Sequence, residues 1–198
     1  MKFLNENKFL WSLILKILKW HLFDLIYSSI LNFASKRNNF EIVHFLLDQR
    51  KIKIDKNCFI FCYKITQIII PSSITTIEDK AFANCSSLTK ITIPSSVKKI
   101  ENSAFSRCTA LKEIIIPSSV KEIGCFAFNG CTSLEQIKIH SSIKMIKYET
   151  FGLCQSLKEI LIPSSVKRIL EGAFVLCYSL KEIIIPSSVT EIGERAFF

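Results

Sequence analysis

Pro71, Pro94, Pro117, His140, Pro163 and Pro186 stand twenty-three residues apart and mark one point of a repeating unit, with no insertion or deletion between them. A fixed period of roughly 20–50 residues implies a solenoid, because so short a unit cannot enclose a core alone and must bury its apolar face on its neighbours. This constraint governs most of the chain. It makes an extended binding surface the default functional expectation.

The unit that starts at Pro94 shows the physics. Val97, Ile100, Leu111, Ile114 and Ile116 are aliphatic, and Ala104, Phe105 and Cys108 fill the middle. The stretch Leu111-Lys-Glu-Ile114-Ile-Ile116 alternates as a short strand does, with Leu111, Ile114 and Ile116 inward. Pro117 ends the strand, since proline has no N–H for a ladder. Pro-Ser-Ser turns the chain, and a second extended piece carries Val97 and Ile100. Ala104 and Phe105 are expected in a short helical turn. Stacked at about 4.8 Å, such coils form a parallel sheet on one face. Their interior becomes columns: Phe82, Phe105, Phe128, Phe151, Phe174 and Phe197 in one, and Leu88, Leu111, Leu134, Leu157 and Leu180 in another.

Two strings carry a family resemblance: IPSSVKKIENSAFSRCTALKEIIIPSSV (93–120) and ILIPSSVKRILEGAFVLCYSLKEIIIPSSV (160–189). The pattern over 58–198 resembles the BspA-like type of leucine-rich repeat, found in surface antigens and adhesins. The resemblance implies a solenoid for protein or host-surface binding, displayed at the cell surface, with no enzyme activity attached. Departures are mild: His140 replaces the proline, Thr150 the alanine, and Leu170 sits where the family often has glycine.

Upstream, Ile54, Phe59, Cys62, Ile65, Ile68 and Ile70 keep the register, so 54–70 reads as a degenerate first coil. Residues 34–48, with the string EIVHFLL, are similar to an ankyrin helix pair. Residues 3–33 read as two helices whose polar stripes switch sides near Trp20. The fold expected is therefore an α/β repeat solenoid. It has a helical, ankyrin-like N-terminal cap over 1–53 and a leucine-rich-repeat parallel sheet of 23-residue coils over 54–198, the last coil incomplete. That open coil offers an end for self-association. The apolar segment 9–33 is interrupted by Lys16, Lys19 and Asp24, so no transmembrane span is expected where one needs about 20 apolar residues. No clear export signal is read either.

Composition narrows the chemistry. Net charge is +9, yet Lys and Arg are spread along the chain, and the one basic cluster, Arg50, Lys51, Lys53 and Lys56, has no aromatic partners or nucleic-acid motif beside it. No nucleic-acid partner is expected. Of eight cysteines, Cys62, Cys85, Cys108, Cys131, Cys154 and Cys177 form a column, with Cys58 and Cys125 outside it. Neighbours in the column would be too far apart for a disulfide, and no CxxC or zinc-finger His pair exists. The column reads as reduced core thiols, which fits a cytoplasmic chain and pulls against the surface location the resemblance implies. The histidines His21, His44 and His140 lie in separate units, and no phosphate-binding glycine loop occurs. No catalytic residue, metal or cofactor is expected.

Binding is expected on strand residues that point away from the core: Gln67/Ile69, Lys90/Thr92, Glu113/Ile115, Gln136/Lys138, Glu159/Leu161 and Glu182/Ile184. Ile69, Ile115, Leu161 and Ile184 put an apolar stripe, interrupted by Thr92 and Lys138, on a polar strip, as on a protein-binding face, although β-branched residues also simply suit strands. On another edge Lys98, Lys121, Lys144 and Lys167 form a basic ladder. The expectation is a non-enzymatic module that binds a protein or host-surface macromolecule. An intracellular scaffold and a self-associating structural fragment stand as alternatives.

Overall fold

The computed structural model describes Phe33, Ala34, Arg37, Val43, 54–140 and 143–198. The expected helical, ankyrin-like segment and the apolar run 9–33 fall almost wholly outside the described residues. Over the rest the chain winds as a parallel β-solenoid. Five coils have a strand of two to four residues before the Pro-Ser-Ser turn or its His140 counterpart, called the longer strand below, and a two-residue strand follows each turn. The longer strands are β1 (Gln67–Ile69), β3 (Lys90–Thr92), β5 (Glu113–Ile116), β7 (Gln136–Ile139) and β9 (Glu159–Ile160). The short ones are β2 (Thr76–Ile77), β4 (Lys99–Ile100), β6 (Glu122–Ile123), β8 (Met145–Ile146), β10 (Arg168–Ile169) and β11 (Glu191–Ile192).

Every pairing is parallel and keeps the twenty-three-residue register: Ile68 opposite Ile91, Ile114 opposite Ile137, and Ile100 between Ile77 and Ile123. There are two walls of sheet rather than one. The longer strands pair as β1–β3 and β5–β7–β9, and the short ones as β2–β4–β6 and β8–β10–β11. A strand expected at 181–185 does not form; these residues lack strand pairing and have a covering coil on one side only. Ile185, Ile192 and Phe197 are accordingly exposed where their inner counterparts Ile116, Ile123 and Phe105 are buried.

The piece expected as a helical turn closes turns through alternate amides, Ala104 to Glu101 at 3.4 Å, Ser106 to Ser103 at 3.0 Å and Cys108 to Phe105 at 3.2 Å, while the amides between them form a third ladder. The amide N–H groups of Ser103, Phe105 and Arg107 donate to Cys125, Ala127 and Asn129 of the next coil at 2.9, 2.8 and 2.7 Å. Donors committed across coils cannot serve an α-helix. Ser103 and Arg107 also adopt left-handed backbone, at φ 54° and 58°, which breaks helical continuation. The reversal repeats at equivalent positions, from Asn57 and Phe61 to Leu176 and Arg195. In this column glycine is the exception rather than the rule.

Between the walls lies one apolar core. Phe59, Phe82, Phe105, Phe128, Phe151, Phe174 and Phe197 stack face to face with centroids 4.9–5.6 Å apart. Phe59 sets the 54–70 coil at the head of that file, and Ile54, Cys62, Ile65, Ile68 and Ile70 are buried with it. Leu88, Leu111, Leu134 and Leu157 form a second buried file.

Polar groups inside are satisfied in the same periodic way. From Cys85 onward the core thiols donate to a phenylalanine carbonyl one coil back: Cys85 to Phe59 at 3.1 Å, Cys108 to Phe82 at 3.2 Å and Cys131 to Phe105 at 3.2 Å. Cys154 and Cys177 continue the series, so these thiols cross-link coils as well as fill space. The second serine of the turn does the same on the surface. The hydroxyls of Ser96, Ser119, Ser165 and Ser188 donate to Ile74, Val97, Ile143 and Val166 at 2.7–2.8 Å.

The departures from the repeat have local accounts. His140 keeps the N–H that proline lacks and donates it to Ile116 at 2.9 Å, extending the ladder by one rung. Thr150 is buried in the alanine column, and its hydroxyl satisfies itself on the carbonyls of Lys147 and Gly124 at 3.0 and 3.3 Å. Leu170 is half-buried and donates its N–H to Ile146 at 2.8 Å, so the short-strand ladder passes through it unbroken.

Candidate functional site

The outer face of the longer strands follows from alternation. In β5 and β7 every second residue is buried (Ile114 and Ile116, Ile137 and Ile139), which turns Glu113, Ile115, Gln136 and Lys138 out to solvent. Pairing then sets these side chains in rows: Glu113 beside Gln136 beside Glu159, and Ile115 beside Lys138. In β1 and β3, Gln67 lies beside Lys90 and Ile69 beside Thr92. The sheet is brought together in two blocks, since β3 and β5 are near neighbours without sharing a hydrogen-bonded ladder.

Leu161, Glu182 and Ile184 lie outside strands. They remain exposed, so the outward direction persists where the ladder ends. The four aliphatic members are among the most exposed large apolar residues described: Ile69 at 67%, Ile115 at 56%, Leu161 at 73% and Ile184 at 78%. Their immediate neighbours Ile68, Ile114 and Ile160 are buried to within a few per cent. The contrast comes from the pleat alone, because composition is the same on both sides.

Sequence reasoning missed the rim of this face. Thr89 donates its hydroxyl to the Thr66 carbonyl at 2.9 Å, and Lys158 bonds Glu135 at 2.6 Å one coil apart. The hydrogen bond and charge of Lys158 hold the Glu135 carboxyl below its usual range. The signal was available as opposite charges at a spacing of twenty-three. It was also missed on the short-strand wall. There Lys99 bridges Glu101 at 2.9 Å and Glu122 at 3.3 Å, Lys147 bonds Glu122 from the far side, and Arg168 grips Glu191 through two nitrogens. Glu122 is accordingly held low, by Lys147 first. Glu78 moves the other way, raised by partial burial and by Glu101 beside it.

Among the described residues no group of three or more His, Cys, Asp or Glu is placed to hold a metal ion, and no helix is long and apolar enough to cross a membrane. All eight cysteines are free, and all but Cys125 are buried.

Equal coils in register, a strand-and-turn repeat and one stacked aromatic file define a leucine-rich-repeat solenoid. The chain belongs to the BspA type leucine rich repeat region family, whose pattern it matches in six copies over residues 28–112 and 75–198. It is similar to a leucine-rich repeat protein from Bacteroides ovatus, at 35% identity and a TM-score of 0.56, over 72% of this chain and 42% of that one. A leucine-rich repeat protein from Eubacterium ventriosum is 30% identical with a TM-score of 0.57, over 68% of this chain and 42% of that one. The pneumococcal vaccine antigen PcpA is 30% identical with a TM-score of 0.55, over 62% of this chain and 31% of that one. The chain thus spans less than half the length of these solved structures. No curated protein matches it. Repeats of this family are typical of protein-interaction or surface modules and generally serve as binding scaffolds.

Proposed function

We propose that this chain is a non-enzymatic interaction module that binds another macromolecule, a protein or a cell-surface component, through the outer face of its longer strands. The observation that carries the reading is the row of Ile69, Ile115, Leu161 and Ile184, each more than half exposed on a scaffold that buries every second strand residue. Thr92 and Lys138 interrupt that row beside Ile69 and Ile115, and Lys90, Glu113, Gln136, Glu159 and Glu182 lie on the same outer face. An apolar strip with a charged surround is how a specific protein-binding surface is built. Similarity to a pneumococcal vaccine antigen supports display at a cell surface. Seven buried free thiols support the alternative, an intracellular scaffold, because reduced cysteines suit a reducing compartment.

The test pairs a location measurement with a binding measurement. Membrane-impermeant labelling of intact source cells assigns the compartment against a cytosolic control. Purified chain is then titrated against arrayed extracellular-matrix proteins and arrayed cytosolic proteins, alongside the double variant Ile115→Glu, Leu161→Glu. The variant is expected to keep the far-UV spectrum and lose about tenfold in affinity. Unchanged affinity would remove this face from the reading.

A further inference from the structure

The outward rows of the longer-strand face carry an order of charges along the six coils. The middle row runs Gln67, Lys90, Glu113, Gln136, Glu159, Glu182, all exposed. Set against its own reverse, Gln67 meets Glu182, Lys90 meets Glu159 and Glu113 meets Gln136. The row is its own electrostatic complement. We propose that two copies of this chain pair face to face through these strands, with coil order reversed, about a two-fold axis that runs between β5 and β7 and parallel to them. The proposal rests on the strand-face reading above and names the partner as a second copy.

A two-fold interface is self-complementary, because where residue i meets residue j of the other copy, j also meets i. The same axis sets no like charges together in the flanking rows. On the rim, Lys112 of one copy meets Glu135 of the other, and Lys158 and Lys181 meet Thr89 and Thr66. In the apolar row Ile69 meets Ile184, Leu161 meets Thr92, and the aliphatic stem of Lys138 covers Ile115. Other placements do worse. An axis over β5 sets Glu113 on its own copy, and one over β7 sets Glu113 on Glu159 and Lys138 on itself. Between β7 and β9 it sets Glu113 on Glu182 and Lys112 on Lys181. Between β3 and β5 the charges agree, but two of the six coils go uncovered. With coil order kept and the apolar rows together, Lys138 again opposes Lys138. Opposed like charges reject a register, and complementary ones fix it.

The charges that would meet are open. Among the described residues Lys90, Glu113, Glu159 and Glu182 enter no ion pair. On the short-strand wall, by contrast, Lys99, Glu122 and Lys147 already neutralise each other. The ladders hold Glu113, Gln136 and Glu159 abreast, so the order of charges is fixed before a copy arrives. Hydrogen bonds between coils run along both walls and the third ladder, which works against curvature of the face. Six coils at about 4.8 Å, with side chains, give a footprint of about 30 by 20 Å. Two such faces bury about 1,200 Å², the lower end of a specific interface.

Purified full chain is followed by sedimentation velocity from low micromolar to submillimolar concentration, where a reversible dimer is expected. Lys90→Glu and Glu159→Lys each turn two attractive pairs repulsive, and each is expected to weaken the dimer about tenfold or more. Both changes in one chain restore the pairs and should return it to within about threefold of the parent. An equimolar mixture of the two single variants is expected to form the dimer that neither forms alone, since each supplies the charge the other needs. Far-UV spectra check the fold. If a charge reversal unfolds the chain, Lys90→Gln and Glu159→Gln take its place, each expected to weaken the dimer about threefold. A parent that stays monomeric, single variants that dimerise as the parent does, or losses that neither the double variant nor the mixture recovers would each overturn the pairing. A monomeric parent whose Ile115→Glu, Leu161→Glu variant still loses affinity for an arrayed protein would leave the strand-face reading standing and remove this one.

Discussion

The thiol file makes the fold sensitive to alkali, and the size of the effect can be worked out. Burial pushes the Cys131 thiol up to about 12 and the less enclosed Cys177 up to about 11, from an ordinary value of 9.0. Cys58, Cys108 and Cys154 are raised for the same first reason, and Cys85 by its hydrogen bond with Cys62 and then by burial. A raised thiol keeps its proton in the folded chain while the unfolded chain ionises. The stability this represents is complete below about pH 8, and is lost as pH climbs from 9 towards 11 and 12. At pH 9.5 each unfolded thiol gains about 0.8 kcal/mol by ionising, so six such thiols cost about 5 kcal/mol of stability. A domain typically holds only about 5–15 kcal/mol in total. Urea unfolding under reductant, followed by far-UV circular dichroism at pH 7.5 and pH 9.5, measures the difference. Cys108→Ala, Cys131→Ala should remove about one third of the pH-dependent loss, although the variant starts less stable. Stability that is flat to pH 9.5, or a loss untouched by the double variant, would refute the reasoning.

Two further perturbations test the packing. Phe128 is fully buried between rings at 5.3 and 5.6 Å, so Phe128→Ala should cost about 3–5 kcal/mol in urea unfolding. The terminal Phe197, with one stacked neighbour and 38% exposure, should cost roughly half that or less when replaced by Ala. Gly124 is packed so that an added Cβ would lie 2.5 Å from the Asn102 amide nitrogen. Gly124→Ala should therefore lower the melting temperature by an amount equivalent to about 1–3 kcal/mol, and an unchanged melt would show that the turn relaxes freely.

The solenoid was legible in the sequence because repetition converts each residue choice into a column. Phe82 to Phe197 and Leu88 to Leu157 stack as the spacing requires, and the outward set from Ile69 to Ile184 is exposed as the alternation requires. What was not legible depends on where donors go. Ala104-Phe105 looks helical in propensity, yet its neighbours Ser103 and Arg107 adopt positive φ and the N–H groups of 103, 105 and 107 bond the next coil. No local signal announces that choice, since serine and arginine carry little αL preference; only the stack makes it favourable. Residues 181–185 form no strand although they repeat residues 112–116 letter for letter, while β11 in the same end coil does pair with β10, so the segment's own letters do not decide the pairing.

That dependence bears on binding. A loop-borne site orders its residues one at a time and meets the conformational cost on contact, about 0.5–1.5 kcal/mol for each immobilised side chain. Here the backbones beneath Ile115 and Lys138, or Lys121 and Lys98, are fixed by inter-coil hydrogen bonds before any partner arrives. Part of the ordering cost is thus borne by folding, and the remaining freedom lies in side-chain tips. Substitutions at the side chains of the proposed strand face should therefore leave the backbone that carries them in place.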